Sequence, residues 1–134
     1  MQTNTDKRTM LDLTIEARRR RAQGAVDEFR IDAEKNGIAH AISWGSVPAI
    51  VGEMVLDALS RFDYAVAEHG VERAVEMTAE VRENVARQVG YFDPTSHSTS
   101  ASAVLTSGAE FQGHRAVYDL LDEIQGSHAM DVEG

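Results

Sequence analysis

One stretch constrains the fold of this chain more than any other, and it runs from Ser46 to Gly70. Val47, Ile50, Val51, Met54, Val55, Ala58, Leu59, Phe62 and Val66 recur at spacings of three and four, which places them on one broad helical stripe. Ser46 offers a side-chain oxygen to the first free amides. Pro48 falls in the first turn, where its missing N–H costs nothing. Gly70 supplies a left-handed C-cap. The helix so defined is about 34 Å long. An apolar stripe of that length requires cover, and the rest of the chain has to provide it.

Three further helices are expected. Thr9 caps the first, with Asp12 as its acidic partner in the first turn, and Asn36-Gly37 ends it after Lys35. Its stripe of Leu11, Ile15, Ala22, Val26, Phe29 and Ala33 is thin for its length, with Gly24 in the middle. That combination predicts a helix partly exposed, or packed on another subunit. A third helix spans Val71 to about Val89, with Val71, Ala74, Val75, Thr78, Val81, Val85 and Val89 on its apolar face. Its one-glycine separation from the preceding helix predicts an antiparallel hairpin. A Ser/Thr-rich loop over 93–106 follows. Ser107 and Glu110 then form a capping box for a fourth helix, which Gly126 ends. Phe111, Ala116, Val117, Leu120, Leu121 and Ile124 make its apolar face.

The expected architecture is all-α: a four-helix bundle-like domain over 9–126, between a flexible N-terminus at 1–8 and a flexible, polar C-terminal tail at 127–134. The alternation of Ile38, His40, Ile42 and Trp44 with small residues leaves one alternative open. In it, Ile38 to Ser43 pairs as a short strand with Ala103 to Thr106. Trp44 is expected to pack beneath the start of the central helix, its indole N–H satisfied there.

Composition narrows the function. The 134 residues include no cysteine, which removes disulfides, thiolate metal sites and cysteine nucleophiles. The longest apolar run is far short of a membrane span, and Met1 to Arg8 has no apolar segment of a secretory signal. The expected setting is therefore cytoplasmic. The net charge is −9, unevenly placed: residues 1–35 hold eight basic and seven acidic residues, and 36–134 hold five and fifteen. Nucleic acid is thus an expected partner only through the first helix.

Few residues point to chemistry. Arg18, Arg19, Arg20 and Arg21 are consecutive, so on a helix they ring it rather than line one face. They read either as a contact for phosphate or an acidic partner, or as a collar paired with Glu16 and the acidic third and fourth helices. Glu72, Glu76, Glu80 and Glu83 on the third helix, with Asp119, Asp122 and Glu123 on the fourth, form an acidic set suited to a basic partner. Glu110 and His114 share a helix face, but a metal site needs further ligands, such as His69 or Glu72, to converge on them. No nucleophile elbow or phosphate loop is present, and neither metal, cofactor nor enzymatic activity is expected.

The leading expectation is a non-enzymatic helical interaction or assembly module that associates with itself, head to tail, through its basic first helix and acidic remainder. In type it is analogous to small assembly proteins of viral or bacterial origin. The alternatives are an acidic nucleic-acid mimic that inhibits a basic protein, and a small DNA-associated protein using Arg18 to Arg21.

Overall fold

The structure, a computed structural model, describes residues 8–91 and 101–133. The chain forms four helices packed on one another: α1 (Met10–Asn36), α2 (Ile38–His69), α3 (Val71–Tyr91) and α4 (Ala101–Glu133). No strand occurs among the described residues. The fold is therefore an all-α, four-helix bundle-like arrangement, and the alternative with Ile38 to Ser43 in a strand is excluded because that segment is the first turns of α2.

Glycine makes two of the three connections. Gly37 alone joins α1 to α2, and Gly70 alone joins α2 to α3. Their φ values, +92° and +87°, lie where only glycine is at ease, but with ψ of 156° and 163° neither is the left-handed cap expected at Gly70. Each glycine closes one helix and opens the next. Gly37 donates to Ala33 and accepts from Ala41, while Gly70 donates to Val66 and accepts from Ala74.

Two helix starts differ from the sequence expectation for one physical reason: a local cap signal yields to a continuing helix. Ser46 does not cap α2. Its hydroxyl donates to the Ile42 carbonyl at 2.7 Å, as Ser43 does to Ala39 at 3.1 Å, so both serines are satisfied within the helix. Pro48 consequently sits inside α2, where it cannot donate to the Trp44 carbonyl. Likewise α4 begins at Ala101, not at a capping box on Ser107. The expected 93–106 loop is therefore helical from Ala101 onward, and its residues 93–100 lie outside the described residues.

The C-terminal end also differs. Gly126 does not stop α4, which continues to Glu133, so the tail expected at 127–134 is helical as far as that residue. Contacts to α1 explain why, and they recur once per turn. Arg18 pairs with Glu123. Thr14 meets Ser127 at 2.7 Å, and Asp131 accepts from the amides of Met10 and Leu11 at 2.7 and 3.0 Å. The capping box at Thr9 and Asp12 forms as expected. The start of α1 is thus sealed twice, once by its own sequence and once by a carboxylate at its positive end.

The core gathers Val55, Leu59 and Phe62 from α2, Ala74 and Val75 from α3, and Val117, Leu120, Leu121 and Ile124 from α4. From α1 only Leu11 and Ala22 are buried, as the thin stripe implied. Helices α2 and α4 form the centre, with α1 on one side and α3 on the other. Val71 and Val81, expected on the buried face of α3, are exposed.

Candidate functional site

The first half of α2 is the feature that the fold leaves unexplained. From Ile38 to Gly52 there is no Asp, Glu, Lys or Arg. One side of this segment packs closely on α1. Gly52 allows that approach, since a Cβ there would lie 2.7 Å from the carbonyl oxygen of Ala22. Gly45 faces Phe29 in the same way, one further point on an antiparallel pair. Much of the remaining surface is exposed. Ile38 is 58%, Ile42 53% and Trp44 77% exposed, and Ile50 is exposed too. Trp44 does not pack beneath the helix. Its ring leans over His40 at 6.1 Å between centroids, and His40 Nδ1 lies 2.9 Å from Asp32. Hydrogen bonds from the Asn36 side chain and from His40 hold the Asp32 carboxyl below its ordinary value.

By length and composition α2 is also apolar enough to cross a membrane, contrary to the expectation that no run approaches a span. The break that the sequence suggested at Ser46 is absent, and this lengthens the apolar helix. Only 22% of its most apolar window is buried within the protein.

A second apolar feature is a groove of about 850 Å³ between α2 and α3, floored by α4. Met54, Phe62, Met77, Val81 and Val85 line it, and Glu53, Asp57 and His114 stand among the lining groups. It exists because α2 and α3, though joined by one residue, touch each other less than each touches α4.

The charged residues singled out in the sequence are dispersed. Arg18 reaches Glu123 on α4, Arg19 reaches Asp63 on α2 at 2.6 Å, and Arg20 reaches Glu16 at 2.7 Å. Glu16 also binds Arg8, whose hydrogen bond and charge lower the Glu16 carboxyl. Arg21 alone of the four has no ion-pair partner among the described residues; with Arg18 it borders a small hollow against Pro48 and Val51. The acidic set divides in the same way. Asp122 turns to Arg82 on α3, while Glu123 turns to Arg18 on α1. Glu76 is bound by Arg73. Glu72, Glu80, Glu83 and Asp119 are exposed without an ion-pair partner among the described residues.

Glu110 and His114 are joined by no third ligand among the described residues. His114 is level with Met54, which touches the neighbouring Gly113, and His69 and Glu72 lie about 20 Å further along the bundle. No group of three or more metal-binding side chains occurs among the described residues.

Sequence reasoning missed the uncovered half of α2 by reading Ser46 and Pro48 as a beginning. The signal available was the uncharged run itself, which is unusual in a chain that is 26% charged. Comparison with protein-family models, curated proteins and solved structures yields no match.

Proposed function

We propose that this protein is a non-enzymatic helical interaction module that works by associating with copies of itself. One observation carries the reading: the charge-free first half of α2 leaves Ile38, Ile42, Trp44 and Ile50 exposed on a helix whose other half is core. Ile38, Ile42 and Ile50 share one face of α2, with Trp44 on the opposite one, and an exposed apolar face marks an interaction site more often than a free surface. The geometry favours apolar contact between copies over the head-to-tail charge contact expected from the sequence. Arg18, Arg19 and Arg20 are already engaged within the chain, and so are Asp122 and Glu123. The same engagement weakens the reading as a DNA-associated protein, and it leaves a nucleic-acid mimic only the glutamates of α3.

The test is absolute mass in solution by light scattering across protein concentration, at low and high salt. A defined oligomer that persists at high salt is expected, since apolar contact is not screened. A monomer at every concentration removes the reading. An oligomer that dissociates as salt rises restores the charged contact.

A further inference from the structure

The groove between α2 and α3 is a second surface that the fold leaves open. Its α3 wall runs from Ala74 to Val85, about 16 Å or three helical turns. Val81, 47% exposed, lies on that wall, and half-buried Met54, Met77 and Val85 extend the apolar lining. The hydroxyl within it is already used: Thr78 donates to the Val75 carbonyl at 2.5 Å and accepts from the Gln125 amide at 3.2 Å. No buried side-chain nitrogen or oxygen among the described residues lacks a partner. A small ligand is ordinarily oriented by a few polar groups that converge inside its pocket. Here Glu53, Asp57 and Arg61 are exposed at the edge, and His114 is half-buried at one end. What the groove offers instead is length, apolar walls and a methionine on each wall, whose flexible thioether adapts to inserted side chains. That combination suits the apolar face of a helix, with anchors spaced by three and four residues.

The charges at the edge select the sign of the partner. Arg61 donates to Asp57 at 2.9 Å, so that pair is balanced. Glu53 has no ion-pair partner among the described residues. Glu110 lies one turn before His114 and two before Val117, so it shares the α4 face that floors the groove, and it too is exposed and unpaired among the described residues. Met54, next to Glu53, seats against Gly113, next to His114, which puts both carboxylates at the same end. No unpaired Lys or Arg lines the groove among the described residues.

We propose that the groove between α2 and α3 docks a helix of another protein, one whose apolar face ends in lysine or arginine placed to meet Glu53 and Glu110. This goes beyond the self-association proposed above and uses a different surface, since Ile42 and Ile38 lie on the first half of α2.

The experiment measures fluorescence anisotropy of labelled peptides three to four helical turns long against the full chain at low salt. One peptide carries leucine at i, i+3, i+4 and i+7 with two lysines at one end, and its counterpart carries two glutamates there instead. The lysine peptide is expected to bind about tenfold more tightly. Val81→Glu, at an exposed position, should weaken it about tenfold with unchanged helical circular dichroism. Glu53→Gln and Glu110→Gln should each weaken it about two- to threefold. Glu83→Gln and Asp119→Asn, on the far sides of α3 and α4, should change nothing, and neither should Ile42→Glu. A lysine peptide that fails to bind, or that ignores Val81→Glu, overturns the site. Equal loss at all four carboxylates, or equal binding of the two peptides, overturns the charge selection. Loss at Ile42→Glu alone moves the contact to the first half of α2. Displacement of the peptide by dodecyltrimethylammonium below its micellar concentration, at a tenfold lower dose than unlabelled peptide requires, overturns the helix as occupant in favour of a small apolar cation.

Discussion

The two halves of α2 have similar apolar content and opposite fates. In the second half Val55, Leu59 and Phe62 are buried against α3 and α4, while Glu53, Asp57 and Arg61 keep the outer side wet. In the first half Ala41, Ala49 and Gly52 are buried, Gly52 against Ala22 of α1, while isoleucines and a tryptophan stay exposed with no charge in the segment to hold water. What separates core from interface along one helix is therefore the character of the face pointing outward rather than the number of apolar residues. A hydrophobic residue inside is the ordinary case, and an exposed group of them demands explanation.

The largest expected effect follows from that contrast. Leu59 is 1% exposed, so Leu59→Ala should cost about 2–5 kcal/mol of unfolding free energy in urea. Ile42→Ala, on the same helix, should stay within about 0.5 kcal/mol when measured at concentrations where the protein is monomeric. Similar losses at both positions would mean that the first half of α2 is covered in the isolated chain, and the comparison would collapse.

Pro48 tests the join between the halves. As an interior residue of α2 it removes a backbone hydrogen bond to the Trp44 carbonyl, so Pro48→Ala should raise stability by about 1–3 kcal/mol. Had the helix begun at Ser46, proline would occupy the first turn at no cost, and the same change would be close to neutral. A neutral result would restore the shorter helix and detach Ile38 to Gly45 from it.

That position also marks the limit of what was legible in the sequence. The helical stripe, the capping box at Thr9 and Asp12, the ends at Gly37 and Gly70 and the buried face of α4 follow from short-range pattern, and all are present. Ser46-Pro48, Ser107-Glu110 and Gly126 are short-range signals as well, but each lies inside a helix. At Ser46 the hydroxyl found the Ile42 carbonyl one turn back. At Gly126 the decisive contacts were with α1, more than a hundred residues away in sequence, and no local rule registers them. The acidic residues of α4 do not share one set of partners for a related reason. Neighbours in sequence such as Asp122 and Glu123 point about 100° apart on a helix and find partners on different elements.

Two glycines extend the comparison to the surface that α2 shares with α1. A methyl group at Gly52 meets the Ala22 carbonyl oxygen, a backbone atom that cannot turn aside, so Gly52→Ala should destabilise by about 1–3 kcal/mol. Gly24, on α1, has open space where its Cβ would lie. Gly24→Ala should therefore stabilise by about 0.5–1 kcal/mol, through the ordinary helical preference for alanine. Thermal unfolding of the two variants side by side reads both signs. If Gly52→Ala is tolerated, α1 stands further from α2 than the structure places it, and the first half of α2 has less cover still.

The smallest effect lies at the start of α1, where a carboxylate of α4 adds to the capping box. Burial raises the Asp131 carboxyl, but hydrogen bonds from the Leu11 and Met10 amides and the Thr9 side chain, with the charge of His128, hold it below its ordinary value. A carboxyl lowered by folding stabilises the protein at pH values above its unfolded pKa of about 3.9. That contribution is lost as pH falls through the lower folded value, where proton uptake removes the charge and weakens one of the two oxygens as an acceptor. Asp131→Asn should therefore lower the thermal midpoint at pH 7 and leave it nearer the parent's below pH of about 3, the two acid-unfolding curves converging. Curves that stay parallel over the whole range would mean that the Asp131 charge does not cap α1. The last turns of α4 would then rest on the Thr14–Ser127 hydrogen bond rather than on the Asp131 charge.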